Sequence, residues 1–185
     1  MAKEKTTKKL IAESFLELLS SKSVDKITVA EIVRGCGMTS PTFYNHFKDK
    51  YALIVWIYTT SANDIMGNLG KNGYTWGDML LDYMRYFEKN RGFMINALKH
   101  ASGRKEFLSL FEELGIENME RELRRRMNPG QEIPPLLRDL TKFYCYGSCR
   151  FIYSWLIEGV PSTPEEAAYI CNEALPLSLR TYLLD

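Results

Sequence analysis

Histidine is scarce in this 185-residue chain. There are two, His46 and His100, and neither has a metal-ligand spacing to a cysteine. No glycine-rich phosphate loop, HExxH or serine elbow occurs, so the usual settings for phosphate, zinc and acyl chemistry are missing. The chain therefore reads as a non-enzyme without cofactor or metal. No apolar run approaches the ~18 residues that a membrane span requires. The opening MAKEKTTKKL has no apolar stretch that would make a secretory signal, and a cytoplasmic location is expected. Strand-like alternation, internal repeats and low-complexity tracts are all missing. The four cysteines are Cys36, Cys145, Cys149 and Cys171, and a chain this rich in core residues needs no disulfide staples. Cys145 and Cys149 lie four apart, on one helical face. Buried free thiols are the expectation there, with metal binding or redox sensing as the rival.

What is present is ordinary globular material, 45% hydrophobic and 25% charged. Nearly all of it has helical periodicity. Leu10, Ile11, Phe15, Leu18 and Leu19 recur at helical spacing, and SSKSVDK ends that helix. Thr28 opens T-V-A-E, in which Thr28 and Glu31 can satisfy each other's free amides. Val29, Ile32, Val33 and Cys36 line one face, and Gly37 suits the left-handed backbone that closes a helix. A short third helix starts near Thr39 or Ser40, with Pro41 tolerated only in its first turn. Asp49 caps a fourth helix running to about 67–70. Further helices are expected near 77–89, 91–101, 104–127, 135–158 and 164–183, with loops at 128–135 and 159–166. The fold class is all-α. A three-helix head over residues 1–50 carries a helix-turn-helix at 28–47, and a larger helical body follows over 51–185.

The stretch TVAEIVRGCGMTSPTFYNHF (28–47) shows solvent an unusual set of side chains. On a helix at ~100° per residue, Phe43 and Phe47 point to one side and can pack with Met38 against the first two helices. Pro41, Thr42 and Asn45 face the other way, Tyr44 and His46 flank the boundary, and Thr39 and Ser40 sit at the helix start. Such outer residues suit a helix lying in the DNA major groove, where small polar groups meet base edges and neighbours hold phosphates. Charge agrees: residues 1–50 carry nine Lys and Arg against six Asp and Glu, and the remainder fifteen against seventeen. Lys3, Lys5, Lys8 and Lys9 crowd the start, and Lys48 and Lys50 follow the third helix. The bland rival is a helix-turn-helix that only makes a corner in a bundle.

Thr28, Glu31, Ile32, Val33, Gly37, Met38, Thr39, Thr42, Phe43, Tyr44, His46, Phe47, Asp49, Lys50 and Leu53 fall together at the offsets of the TetR family's DNA-binding head. Residues 8–54 resemble that head, Cys36 being a mild departure where alanine is commoner. The resemblance implies that Thr28, Tyr44, His46 and Lys50 hold phosphates. Ser40, Pro41, Thr42 and Tyr44 would lie nearest the bases, and Phe43 and Phe47 would be core. It also implies a body that dimerises through its last two helices and encloses a pocket for a small-molecule effector.

The segments at 86–99 and 151–168 are similar to the subgroup associated with activators of dihydroxyacetone kinase operons. Two recognition helices ~34 Å apart would read a near-palindromic operator in double-stranded DNA. Candidate dimer helices are 135–158 and 164–183, rich in Leu140, Phe143, Tyr144, Phe151, Ile152, Trp155, Leu156, Ala167, Ile170, Ala174, Leu177 and Leu179, though these faces also suit an internal core. Trp56, Tyr83, Phe87, Phe107, Phe111, Tyr146 and Trp155 are the pocket candidates, against ordinary core packing for each. The basic run at 121–126 reads as a solvated face paired with Glu117, Glu120 and Glu122. The expected function is a homodimeric repressor released by an effector. The alternative is an activator or co-regulator working through a partner protein.

Overall fold

In the computed structural model, the backbone of residues 2–99 and 104–184 and the side chains of residues 6–98 and 108–184 are described. His100, and the side chains of Lys3, Lys5 and Phe107, lie outside the described residues. Ten α-helices and no strand occur among the described residues, so the all-α expectation holds. They are α1 (Ala2–Leu19), α2 (Val29–Gly35), α3 (Ser40–Tyr44), α4 (Lys50–Met66), α5 (Trp76–Lys89), α6 (Arg91–Lys99), α7 (Arg104–Arg126), α8 (Pro135–Tyr153), α9 (Pro164–Glu173) and α10 (Leu177–Leu183). Among the described residues, no helix is long and apolar enough to cross a membrane.

Two compact units form. The first comprises Met1–Thr60 with Asn90–Phe107, and the second Ser61–Lys89 with Leu108–Asp185. The division differs from a cut at residue 50, because α6 returns to pack on α1 and the Asn96 side-chain carbonyl accepts the Val24 amide at 3.3 Å.

In the first unit, Ile11 and Phe15 of α1, Ile32 of α2, Phe43 of α3 and Leu53 of α4 are fully buried and form the core. Leu10 is turned outward instead. Between α1 and α2, the SSKSVDK break contains a single 3-10 turn, Val24–Lys26, that buries Val24. The capping box read from the sequence is present at α2, where Thr28 Oγ1 accepts the Glu31 amide and the Glu31 carboxylate accepts the Thr28 amide. At its far end, the Gly37 amide donates to Arg34 and the Met38 amide donates to Val33. Gly37 has φ +67, the left-handed conformation that this closure demands. Asp49 Oδ1 accepts the amides of Tyr51 and Ala52 at 2.9 and 2.8 Å, capping α4 as read.

In the second unit, α5 packs along α9, and α8 packs against α10. Trp76, Met79, Met84 and Phe87 of α5 are buried, as are Leu123, Trp155, Ala167 and Leu179 from the other helices. The expected 135–158 helix is α-helical to Tyr153 and then widens into a π-helical turn, Ser154–Glu158, that ends at Gly159 with φ +76. The expected single helix over 164–183 is two helices. Pro176 has no amide to donate and breaks the ladder, and Arg180 takes the carbonyls this frees. Its guanidinium donates to Leu175 at 3.0 Å, Asn172 at 3.1 Å and Glu173 at 2.8 Å.

Candidate nucleic-acid interface

The short α3 gets its orientation from what it buries. Phe43 is fully buried and its ring centroid lies 5.7 Å from that of Phe47, which in turn meets Trp56 edge-on at 5.7 Å. With that side anchored, Pro41, Tyr44 and Asn45 are exposed, and Ser40, Thr42 and His46 are half-buried. Tyr44 is 58% exposed, a large value for an aromatic ring with Phe43 beside it at 5.5 Å. Thr39 Oγ1 and Thr42 Oγ1 are 3.0 Å apart in a hydrogen bond that fixes both side chains on the exposed surface. Lys48 is exposed. Nine of the ten candidate residues thus fall within α3 and its flanks, with Phe43 and Phe47 inward, and the tenth, Thr28, caps α2.

Two of them are engaged otherwise than the resemblance implied. The Thr28 hydroxyl donates to Glu31 Oε2 at 3.0 Å while accepting the Glu31 amide, so both its roles are spent inside the capping box. Lys50 Nζ donates to three carbonyls, Val24 at 2.7 Å, Ile27 at 3.0 Å and Asp25 at 3.2 Å. An ammonium has three protons, and all three have partners here. In this arrangement both groups bond within the protein.

Lys22 is a residue that the sequence reading passed over. Its ammonium pairs with Glu31, and together with the Thr28 hydrogen bonds it holds the Glu31 carboxyl at a pKa of about 2, well below the ordinary 4.5. Lys22 and Glu31 are nine residues apart across a turn, a separation that no helical spacing rule would link.

The pocket candidates divide. Tyr83, Phe87 and Phe111 come together, with ring centroids 6.1 Å apart for Tyr83 and Phe87 and 5.6 Å for Phe87 and Phe111. The Tyr83 hydroxyl donates to the Ala62 carbonyl at 2.9 Å, and burial pushes its pKa up. Trp56 belongs to the first unit, against Phe47. Tyr146 is half exposed on α8 and lines no interior space. Trp155 is buried and donates its indole N–H to the Ser162 carbonyl at 2.8 Å, which is core packing. Two open grooves are described. One of about 550 Å³ is lined by Pro161, Ser162, Glu165, Glu166, Tyr169 and Ile170, the other of about 370 Å³ by loop residues around Lys71 and Tyr74. Neither is lined by a pocket candidate.

Elsewhere in the second unit, the dimer candidates also separate. Tyr144, Ile152, Trp155, Leu156, Ala167 and Leu179 are buried within the unit, whereas Phe143 (76% exposed), Ile170 and Leu177 (79% exposed) face outward. Leu136, Tyr146, Tyr169 and Leu184 join them, so every strongly exposed apolar residue of this unit lies on α8, α9 or the α10 segment. The basic run is paired in part as read, with Arg124 on Glu120 and both Arg125 and Arg126 on Glu122, which is buried, while Arg121 donates to Asn118 Oδ1. All four cysteines are free, and burial pushes the Cys145 and Cys171 thiols up to about 12 and Cys149 well above its ordinary value. Such thiols are poor nucleophiles and poor ligands.

Comparison with known proteins agrees with this geometry. Residues 11–55 match the family described as bacterial regulatory proteins, tetR family, and residues 74–176 match a family described as a transcriptional regulator C-terminal region. Over 93 residues the chain is 31% identical to the HTH-type dhaKLM operon transcriptional activator DhaS of Lactococcus lactis; the match covers 50% of this chain and 49% of that protein. The chain thus spans about half the length of this curated relative. Among solved structures, a dihydroxyacetone kinase operon activator DhaS superposes with a TM-score of 0.68 at 20% identity, covering 96% of this chain and 98% of the other. A TetR transcriptional regulator from Streptococcus agalactiae gives 0.62 at 20% identity, covering 95% and 97%. These families consist of regulators, not enzymes. With a helix-turn-helix head and a body that match along most of its length, the chain belongs to the TetR family of DNA-binding transcription regulators.

Proposed function

We propose that the protein is a homodimer that binds a near-palindromic operator in double-stranded DNA, in the cytoplasm, and that a small-molecule effector changes that binding. The observation that carries the reading is the outer face of α3. A helix of five residues, held from behind by buried Phe43, presents Pro41, Tyr44 and Asn45 to solvent where folding alone gives no reason for a tyrosine. Pro41, Thr42, Tyr44 and Asn45 meet base edges, with Thr39 and Ser40 at the near end. His46 and Lys48 hold phosphates, Lys48 supplying the salt-dependent, sequence-blind part of the affinity.

One such helix reads few base pairs, so a second head is required. The outward Leu136, Phe143, Ile170 and Leu177 supply an apolar surface for an intermolecular bundle of helices. The two-fold symmetry of such a bundle matches an inverted repeat. The α4 helix runs without a break from the first unit into the second at Thr60, so an effector held near Tyr83, Phe87 and Phe111 acts on the head through it. The effector must bind the two arrangements with different affinity, since tight binding to both shifts nothing.

Release of a repressor is the first reading of the sign. Activation is the second, and the likeness to DhaS, named as an activator, favours it. Selection of bound fragments from random DNA tests the core of the proposal: an inverted repeat is the expected product, and no enrichment over the input refutes it. A reporter placed behind that repeat gives the sign. A thermal-shift screen of metabolites addresses the effector.

A further inference from the structure

Lys50 joins the two ends of the helix-turn-helix. The motif begins after Ile27 and ends before α4, and Lys50 is the first residue of α4. Its ammonium is bonded to the Ile27 carbonyl, 23 positions back, and to the carbonyls of Val24 and Asp25 in the turn that leads into α2. Tyr51 adds a second tie, its hydroxyl donating to Asp25 Oδ1 at 3.3 Å. Beyond Lys50, α4 is one continuous helix to Met66.

Between these two pinned ends lie α2, the Gly37 turn and α3. The turn is closed by its own backbone hydrogen bonds, and Phe43 and Phe47 are buried, so the motif has few internal degrees of freedom. Its orientation is therefore set where it is fastened. An ammonium with three carbonyl partners is a poor candidate to leave them for a phosphate, since the part-buried Ile27 carbonyl would lose its donor and the Val24 carbonyl would keep only the Ile27 amide.

We propose that Lys50 is a positioning residue: it clamps the start of α2 to the start of α4, so that the placement of α4 sets the placement of α3, and it neutralises no phosphate. The proposal rests on the DNA-binding reading above and changes what this lysine does within it. Lys48, two residues earlier and exposed, is the phosphate ligand of the pair.

The two roles differ in the salt dependence of binding. Each phosphate contact adds about 0.9 to the slope of log affinity against log salt. Binding is measured on the inverted-repeat fragment recovered by selection, with protein shown to be folded at the assay temperature. Lys50→Met is expected to bind about tenfold more weakly with an unchanged slope, as for loss of a charged hydrogen-bonding group. Lys48→Ala is expected to lower the slope by about 0.9, and Lys50→Arg, which keeps the donors, to recover most of the affinity. A slope lowered by Lys50→Met makes Lys50 a phosphate ligand and overturns the proposal. Wild-type affinity in folded Lys50→Met reduces it to a stabilising residue and overturns it equally.

Should Lys50→Met fail to fold, amine labelling of the wild-type protein with a water-soluble acylating reagent decides. The Lys50 amine is expected to react slowly with and without DNA, and Lys48 to react fast until DNA is added. A Lys50 as reactive as Lys48 in the free protein refutes the clamp. If wild-type protein selects no fragment at all, the DNA-binding reading has failed, while the labelling of free protein still reports on the clamp.

Discussion

Gly35 is the last residue of α2, and a β-carbon added there would lie 2.2 Å from Ser14 Oγ and 3.3 Å from Ser14 Cβ. The Ser14 hydroxyl, buried on α1, donates to the Ile32 carbonyl at 2.7 Å. Gly35→Ala therefore evicts that hydroxyl. In its favour, alanine is a better helix former than glycine by up to about 1 kcal/mol. Against it, overpacking costs about 1–3 kcal/mol, and the lost hydrogen bond about 0.5–1.5 kcal/mol. The steric term wins, and the head is expected to lose about 2 kcal/mol. Amide hydrogen exchange read by mass spectrometry is the suitable assay. Peptides from residues 8–54 should exchange about 30-fold faster, while those from 135–183 stay unchanged. Adding Ser14→Ala removes the closest contact, so the double variant should recover about 1 kcal/mol relative to Gly35→Ala alone. A neutral Gly35→Ala, or two substitutions whose costs simply add, would refute the close approach of α1 and α2 as the reason for this glycine.

Three more outcomes follow from the geometry. Tyr44→Ala and Asn45→Ala, at exposed positions, should each weaken operator binding by about 1–3 kcal/mol with the melting temperature unchanged. Loss of stability in parallel would make them structural. Phe143→Asp and Leu177→Asp should give monomers by sedimentation equilibrium and lose operator binding, because a charge on the outward apolar face opposes association. A variant that stays dimeric moves the interface elsewhere. The Glu31 pKa is lowered in the folded protein, so its contribution is full above the ordinary 4.5 and is lost as pH falls through about 2. Wild type should melt above Glu31→Gln at neutral pH, and the gap should shrink as pH falls from 4.5 and close below about 2; a gap that does not shrink over that range contradicts the Lys22 pairing.

Local chemistry wrote much of this molecule legibly. The capping box at Thr28 and Glu31, the glycine closure at Gly37, the proline in the first turn of α3 and the Asp49 cap each depend on neighbours within four or five residues. Hydrophobic periodicity likewise placed Phe43 and Phe47 inward and left Tyr44 and Asn45 outward. Periodicity read straight through Pro176, where the missing amide and the Arg180 side chain make two helices of one.

What a chain position cannot show is which partner a side chain meets across a turn. The sequence marks Lys50 as a cation beside the motif, and that suffices to suggest a phosphate. Only the folded path of the chain brings three carbonyls from residues 24–27 within its reach. The same holds for the aromatic residues of the body: apolar character told that Trp155, Tyr146 and Phe143 would leave water when they could. The folded path of the chain decided that Trp155 is covered, its indole N–H bonded to the Ser162 carbonyl, while Phe143 is open. Burial is a property of two surfaces in contact, and a sequence lists them one at a time.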